Sequence, residues 1–560
     1  MMVETLTIMT EPGAPVLYGY FSKFLTERSG LSGVEKERFR QLVKNLTSAH
    51  EAGHSCLPVS EKEARFLKTL HLVSDGGQTP LVLHRDKLYL HRYFHYEMRL
   101  AEQMSAMAAV SFSTKGHEKL LGAFFDDEPE FSGVNRQKEA AAVALQKALT
   151  IICGGPGTGK TTTVVKILAL LFMASEHKLD VALAAPTGKA AMRLSQSIGG
   201  SLDRLPLSEE VKSAIPTEAK TLHRLLGYIR YCPQFRHNRQ QPMGWDVVVV
   251  DEASMVDLAM MSKLVDALKP GARLLLLGDK DQLASVESGA VLGDCIHSLP
   301  DNVIELKKTY RFDDNIKFLA ENVNAGDDDG AWTCLADPKM PNITVLQTEL
   351  LDFVGRQYVA YMAMVARYPQ TSIREIFAAF NRFQVLCALH YGNRGVAGMN
   401  RGVETFLARR GFDCRPDCWY HGRPVLITRN EYSLDLFNGD IGICLPDLDD
   451  GSSTVWFERS DGGLCSYSPY RLPNCETVFA MTIHKSQGSE FDEVVVVLPE
   501  EDNRILSREL LYTAFTRARK TVRLVAGREV FAHALSRKIV RCSGLAEHLR
   551  EQRPTKNGVA

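Results

Sequence analysis

No stretch of this 560-residue sequence stays apolar for the ~20 residues that a membrane-crossing helix needs. The longest apolar run, around Ile167–Ala174, falls inside a helical pattern. The opening MMVETLTIMTEPG carries Glu4 and Glu11 and lacks the basic-then-apolar layout of a secretion signal, so a cytoplasmic protein is expected. Paired cysteines are also scarce. The 12 cysteines are scattered, as suits reduced thiols. Cys414 and Cys418, with His421 nearby, have no second pair at zinc-ligand spacing, so no metal is expected there. Neither sign of charge is in excess: 66 Lys+Arg stand against 67 Asp+Glu. That excludes a polybasic mode of binding but leaves room for a local basic groove on a neutral body. Internal repeats and low-complexity tracts are missing. The sequence is 45% hydrophobic and 24% charged, an ordinary globular balance, and at ~150 residues per domain its length implies roughly three or four domains.

Residues 1–115 read as one block, with helical stretches at 18–25 and 35–50 and a strand-like run, PLVLHRDKLYLHRYFHYE, at 80–97. His54, His84, His91 and His95 match no metal-ligand spacing and read as polar edges of strands and turns. The acidic stretch FFDDEPEFSG lies in an expected linker at 116–133. From 134 onward, short apolar runs at 149–153, 181–185, 247–250 and 273–277 alternate with helical segments. Runs of this kind indicate strands buried on both faces, hence an α/β lobe with a parallel sheet over 134–300. A second such lobe is expected over 301–405 and 473–545, with strands at 385–388 and 494–498. Between its halves, at about 406–472, short alternating strands with Gly and Asp turns predict a small all-β insertion, and 546–560 is left as a tail.

The strongest chemical signal is GGPGTGKT at 154–161, which fits G-x-x-x-x-G-K-[ST] and lies between an expected strand and an expected helix at 162–173. Gly154, Gly155, Pro156, Gly157, Thr158 and Gly159 form a loop whose backbone N–H groups can curl around a polyphosphate, with Thr162 following at the helix start. Lys160 can reach the β- and γ-phosphates and the Thr161 hydroxyl can ligate Mg²⁺. The run VVVVDEAS at 247–254 supplies acids at a strand end: Asp251 to hold the metal and Glu252 to polarise an attacking water. ATP hydrolysis is therefore expected rather than nucleotide binding alone. Gln282, in LLLLGDKDQL at 274–283, is placed to sense the γ-phosphate, and Gln137, in VNRQKEA, to read the adenine edge. ATP sites that drive motion take arginines from a second lobe; Arg311 in LKKTYRF and Arg517 in LYTAFTRARK are the candidates.

These motifs, in order with APTGKAAMRL (185–194), TLHRLLG (221–227) and TIHKSQGSEF (482–491), resemble those of superfamily 1 helicases. The sequence GRPVLITRN…LFNGDIGI at 422–443 and GHSCLP at 53–58 point further, and the chain resembles the RecD family, alpha subunits of exodeoxyribonuclease V. The resemblance covers nearly the whole chain and is weakest in 1–50 and 325–380. It implies a 5′-to-3′ DNA helicase with two RecA-like lobes, an SH3-like insertion, and an N-terminal domain that docks onto a RecC-like partner beside a RecB-like nuclease subunit. It implies double-strand break repair by recombination, and carries over Lys160, Thr161, Asp251, Glu252, Gln282, Arg311 and Arg517 as the ATPase set, with Gln137 beside them. It also places a small hairpin, able to split strands, at about 228–245, where Tyr231 or Phe235 is expected near the duplex junction.

A translocating motor needs phosphate contacts that ignore sequence and can be remade at each step, which hydroxyls and a few cations at loop ends provide. Thr187, Lys189, Thr221 and His223 are the expected DNA contacts in the first lobe, and Thr482, His484, Lys485 and Ser486 those in the second. Two other readings stay open: a stand-alone RecD-like helicase without nuclease partners, and a regulatory subunit whose ATP site only switches conformation. No acidic-plus-lysine cluster remains for a nuclease site within the chain.

Overall fold

The computed structural model describes residues 16–113, 117–125, 135–175, 177–230, 232–285, 287–308, 314–346, 349–431, 433–459 and 462–552. Arg311 and Tyr231 lie outside the described residues.

The first lobe is a six-stranded sheet in the order Val303–Leu306, Leu149–Gly154, Arg273–Gly278, Val247–Val250, Val181–Ala185, Ala219–Thr221, every neighbouring pair parallel. All side chains of Leu149–Gly154, Val181–Ala185 and Val247–Val250 are buried, because helices cover both faces. The second lobe is a five-stranded parallel sheet in the order Ile343–Val345, Ala518–Val525, Phe491–Val497, Phe383–Cys387, Ala480–Thr482. The insertion is a five-stranded antiparallel sheet in the order Leu464–Tyr467, Ser453–Glu458, Ile441–Pro446, Pro424–Ile427, Cys475–Thr477. Its edges differ from the expected 406–472: helix Val396–Arg409 runs past the start, and Cys475–Thr477 closes the sheet beyond the end.

The N-terminal block holds helices Val16–Arg28 and Gly33–Glu51 and a four-stranded sheet in the order Cys56–Pro58, Lys87–Leu90, Leu81–His84, Val73–Ser74. The strand-like run at 80–97 divides in two. Leu81–His84 and Lys87–Leu90 form a hairpin, with Arg85 at φ 56° in its turn, and helix His91–Ala109 follows. Phe94, Leu100, Ala101 and Met104 bury one face of that helix, a 3.6-residue spacing that overrides the β-leaning aromatics RYFHY.

Leu100, Ala101 and Met104 belong to the same core as Leu149, Leu274 and Leu276 of the first lobe, and so do Leu545 and Leu549 of helix Leu545–Glu551. The residues expected as a tail thus include a helix that returns to the first lobe and docks beside the N-terminal block. The expected linker also carries structure: helix His117–Phe125 packs on helices Arg136–Gln146 and Lys160–Ala174, with Phe125 buried.

Candidate nucleotide site and nucleic-acid face

Strand Leu149–Gly154 runs into the glycine loop, and helix Lys160–Ala174 leaves it. Gly157 and Gly159 have φ of 75° and 80°, a left-handed conformation that costs residues with a Cβ roughly 1–2 kcal/mol. A Cβ on Gly154 would lie 2.6 Å from Thr158 Oγ1 and 2.8 Å from the Leu306 carbonyl oxygen, so the loop has no room for one. Lys160 Nζ donates to the carbonyls of Gly154 (2.6 Å) and Gly155 (3.0 Å), folded back on its own loop where a phosphate would compete for it. Thr158 Oγ1 donates to Gly155 O at 2.9 Å and tightens the turn.

Pro156, Gly157, Gly159, Lys160, Thr161 and Thr162 line one cleft together with Asp251, Glu252, Gln282 and Arg517. Asp251 follows strand Val247–Val250; its N–H bonds Ala184 O and its Oδ1 accepts from Glu252 N, each at 2.9 Å. Burial pushes its carboxyl up to about 6, the Glu252 carboxylate adds to the rise, and Lys160 opposes it. The adjacent carboxylates of Asp251 and Glu252, with the Thr161 hydroxyl lining the same cleft, form an oxygen donor set that fits Mg²⁺. Glu252 has φ 52°, strained backbone of a kind that collects at functional sites.

The second lobe closes the cleft through a hydrogen-bond chain. Arg517 Nη2 donates to Gln282 Oε1 at 2.8 Å, Gln282 Nε2 donates to Asp279 Oδ2 at 3.0 Å, and Tyr512 OH donates to the same oxygen at 3.0 Å. Leu283 N donates to Thr513 Oγ1 at 2.9 Å, and Gln487 Nε2 donates to Leu283 O at 2.8 Å, so the loop after Gln282 is read by two elements of the other lobe. Arg517 is 1% exposed, its other bonds go to the carbonyls of Thr513 and Ser489, and no carboxylate lies within ion-pair distance of it among the described residues. Burial lowers its pKa. A cation held in this way fits a cleft that receives an anion.

Sequence reasoning passed over four residues here. Asp279 and Tyr512 join the chain above, while Arg193 and Glu490 line the cleft and ion-pair across the lobes. Arg193 was legible as the residue one helical turn after Lys189, and Tyr512 as the residue one turn before Thr516 on the Arg517 segment. Gln137 does not line this cleft: it is buried in helix Arg136–Gln146, whose cap Asn135 accepts its N–H.

The expected DNA contacts divide. Thr187 follows strand Val181–Ala185 and caps helix Gly188–Arg204, accepting from Ala190 N at 3.3 Å. Lys189 is half-buried in that helix's first turn, and desolvation brings its pKa down to about 8. Thr482 ends strand Ala480–Thr482 and accepts from Lys485 N at 3.3 Å, while Lys485 is ion-paired with Glu476. These four stand at carboxyl ends of parallel strands, the usual ligand-binding edge of such sheets. His223 and His484 are half-buried, and burial lowers both pKa values, favouring neutral rings.

Two expectations need correction, those for Ser486 and Phe235. Ser486 is fully buried and donates to Ile483 O at 2.7 Å, so it shapes the turn and offers no surface contact. Thr221 caps helix Leu222–Leu226, accepting from Arg224 N at 3.3 Å, as Thr187 caps its own helix, and lines one cleft with Lys189. Among its described residues, the segment at 228–245 forms one isolated bridge, Tyr228 with Phe235, and its Phe235 ring lies in the first lobe's core, edge-on to His223 at 5.6 Å. Phe235 therefore anchors that loop and does not present a ring to a base pair.

A P-loop lobe, a second parallel-sheet lobe and an arginine bridging to the first lobe's glutamine define a two-lobed P-loop NTPase. Residues 137–288 match the AAA domain family and residues 477–525 the UvrD-like helicase C-terminal domain. The chain is 41% identical to RecBCD enzyme subunit RecD of Mycolicibacterium smegmatis, over 85% of this chain and 84% of that one. Against the same subunit of Haemophilus influenzae it is 34% identical, over 84% and 81%. The ATP-dependent RecD2 DNA helicase of Deinococcus radiodurans is 32% identical over 76% of this chain and 54% of its own length. Among solved structures, Pif1 helicase from Bacteroides in complex with ADP-AlF3 and single-stranded DNA aligns over 71% of this chain and 92% of that one, with 16% identity and a TM-score of 0.40. The chain belongs to the RecD family.

Proposed function

We propose that this chain is the 5′-to-3′ DNA helicase subunit of a RecBCD-type exodeoxyribonuclease V, acting in the cytoplasm with RecB-like and RecC-like subunits on duplex ends during recombinational repair. The observation that carries the motor reading is the bond from buried Arg517 of one lobe to Gln282 of the other, across the P-loop cleft. Lys160 leaves its loop carbonyls for the β- and γ-phosphates, and the glycine-loop amides hold the rest of the chain of phosphates. Thr161 and Asp251 would hold Mg²⁺, which supplies neutralising charge to the phosphate oxygens. Glu252 takes a proton from the attacking water, and Gln282 and Arg517 meet the charge that grows on the transferring group. Arg311 is proposed as a second arginine on the strength of its motif. Because Arg517 and Gln282 come from different lobes, gain and loss of the γ-phosphate changes how tightly the lobes close. Thr187, Lys189, Thr482 and Lys485, at matching strand ends, then alternate their hold on one strand.

The RecD2 similarity favours a stand-alone helicase as second reading. Purification from native extract separates the two: two large partners and ATP turnover stimulated by single-stranded DNA support the subunit reading. A lone, active chain supports the alternative. Loss of turnover in Lys160→Gln is expected under both, and its persistence would refute both.

A further inference from the structure

Two thiols far apart in sequence meet where the returning C-terminal segment crosses the N-terminal sheet. Cys56 Sγ and Cys542 Sγ are 3.3 Å apart, closer than two non-bonded sulfurs usually rest. The two segments are also hydrogen-bonded to each other. Ser55 N donates to Cys542 O at 3.0 Å, and Cys542 N donates to His54 Nδ1 at 2.8 Å. With Ser55 and Cys542 joined by a backbone hydrogen bond and the sulfurs already in contact, closing the pair to an S–S bond of ~2.05 Å takes a movement of about 1.3 Å.

The surroundings hold this arrangement. Glu97, 0% exposed, accepts from Ser55 Oγ (2.5 Å), Ser543 Oγ (3.0 Å) and Gly544 N (3.1 Å to Oε2), fixing both cysteine-bearing segments on one carboxyl group. On the far side of Cys542, Arg541 donates to the carbonyls of Glu287 (2.7 Å) and Gly289 (2.8 Å), in the loop that follows Gln282. The C-terminal segment is thus a strap with the N-terminal sheet on one side and the first lobe on the other.

We propose that Cys56 and Cys542 are a thiol pair that hydroperoxides convert to a disulfide, locking the N-terminal domain to the strap over the first lobe. The two thiols are unequal. Cys56 is 1% exposed, whereas Cys542 is partly open to solvent. The bond from Cys56 and the nearby Lys87 ammonium lower the Cys542 pKa, while its neighbour and burial raise that of Cys56. Cys542 is therefore the attacking sulfur: its thiolate takes one oxygen from the hydroperoxide, breaking the O–O bond and releasing water or an alcohol after protonation. The Cys56 sulfur then attacks the sulfenic sulfur, the S–S bond forms, and hydroxide leaves, taking up the Cys56 proton as water. Two electrons pass from the sulfurs to the peroxide, and a dithiol restores the pair.

The test oxidises the purified full chain with hydrogen peroxide, blocks free thiols with iodoacetamide, and maps linked peptides by mass spectrometry without reduction. The expected result is a Cys56–Cys542 peptide as the dominant cross-link, removed by dithiothreitol, together with a raised unfolding midpoint of the oxidised chain. Cys542→Ser should lose the cross-link and the midpoint shift, and Cys56→Ala should leave Cys542 as a sulfenic acid trapped by dimedone. The proposal is overturned if Cys542 oxidises to the sulfinic acid with Cys56 still alkylatable, if other cysteine pairs dominate, or if Cys542→Ser keeps the midpoint shift.

Discussion

Replacing Arg517 by lysine keeps one positive charge and removes the planar fork. The arginine makes three bonds, to Gln282 Oε1 (2.8 Å), Thr513 O (3.1 Å) and Ser489 O (3.3 Å), at 1% exposure. Thr513 O keeps a bond from Thr516 Oγ1 (3.2 Å), so a lysine ammonium on a shorter stem leaves one acceptor, Gln282 Oε1 or Ser489 O, unpartnered, at ~1–3 kcal/mol. Against that loss stands the several kcal/mol that burying any cation costs, a penalty both residues share. The folded state should weaken by no more than about 3 kcal/mol. The rate should suffer far more, because an arginine that meets transition-state charge contributes roughly 10³–10⁵-fold, equivalent to about 4–7 kcal/mol of barrier. Arg517→Lys is therefore expected to lower kcat for DNA-stimulated ATP turnover by about a thousandfold or more, with KM for ATP moved less than about tenfold. Steady-state phosphate release measured beside a thermal melt distinguishes this from misfolding. A well-folded Arg517→Lys chain that keeps a tenth of the wild-type kcat would refute the assignment.

Glu252→Gln should bind ATP with near-normal affinity yet hydrolyse it at least about a hundredfold more slowly, read by nucleotide titration and single-turnover kinetics. Phe235→Ala should destabilise the chain by about 3–5 kcal/mol in denaturant unfolding, because the ring is in the core; a change within ~1 kcal/mol would return it to the surface role expected from sequence. Glu97, wholly buried, has its carboxyl raised from 4.5 to about 7 by burial, partly offset by its serine and Gly544 bonds. A raised folded pKa means that the protonated form stabilises the fold fully below about 4.5, and that this contribution fades through the interval and is gone above about 7. Glu97→Gln keeps an acceptor and cannot ionise, so its unfolding midpoint relative to wild type should climb between pH 5 and pH 8; a constant difference would contradict the burial argument.

What the sequence disclosed follows from how each element is buried. The central strands of both lobes are short continuous apolar runs, VVVV at 247–250 and LLLL at 274–277 in the first and VVVV at 494–497 in the second, as strands covered on both faces require. The edges were harder. Ala219–Thr221, Ala480–Thr482 and Ile343–Val345 are three residues each, and Ala518–Val525, next to the last of these, carries Arg519, Lys520 and Arg523, which hide its apolar residues. The glycine-loop half of the candidate site was legible because its residues are contiguous and the loop is fixed by local geometry. The other half was not. Asp279–Gln282–Arg517–Tyr512 joins positions more than 230 apart, and only the closed cleft shows that Gln282 spends both ends of its amide. Ser486 misled because a hydroxyl in a conspicuous motif suits a turn as well as a phosphate, and the sequence does not show which way it points. The helix at Leu545–Glu551 was missed because its apolar face pairs with a helix more than 400 residues upstream.

Directional unwinding decides whether the two-lobed cleft drives a 5′-to-3′ motor. Duplexes with a 5′ or a 3′ single-stranded overhang are offered to the purified chain with ATP and Mg²⁺, and strand separation and phosphate release are followed together. The account predicts separation of the 5′-tailed duplex, with ATP consumed in proportion, and none of the 3′-tailed one. Separation from the 3′ tail, or no ATP consumption on either substrate by the chain alone and by the chain purified with its partners, would contradict it.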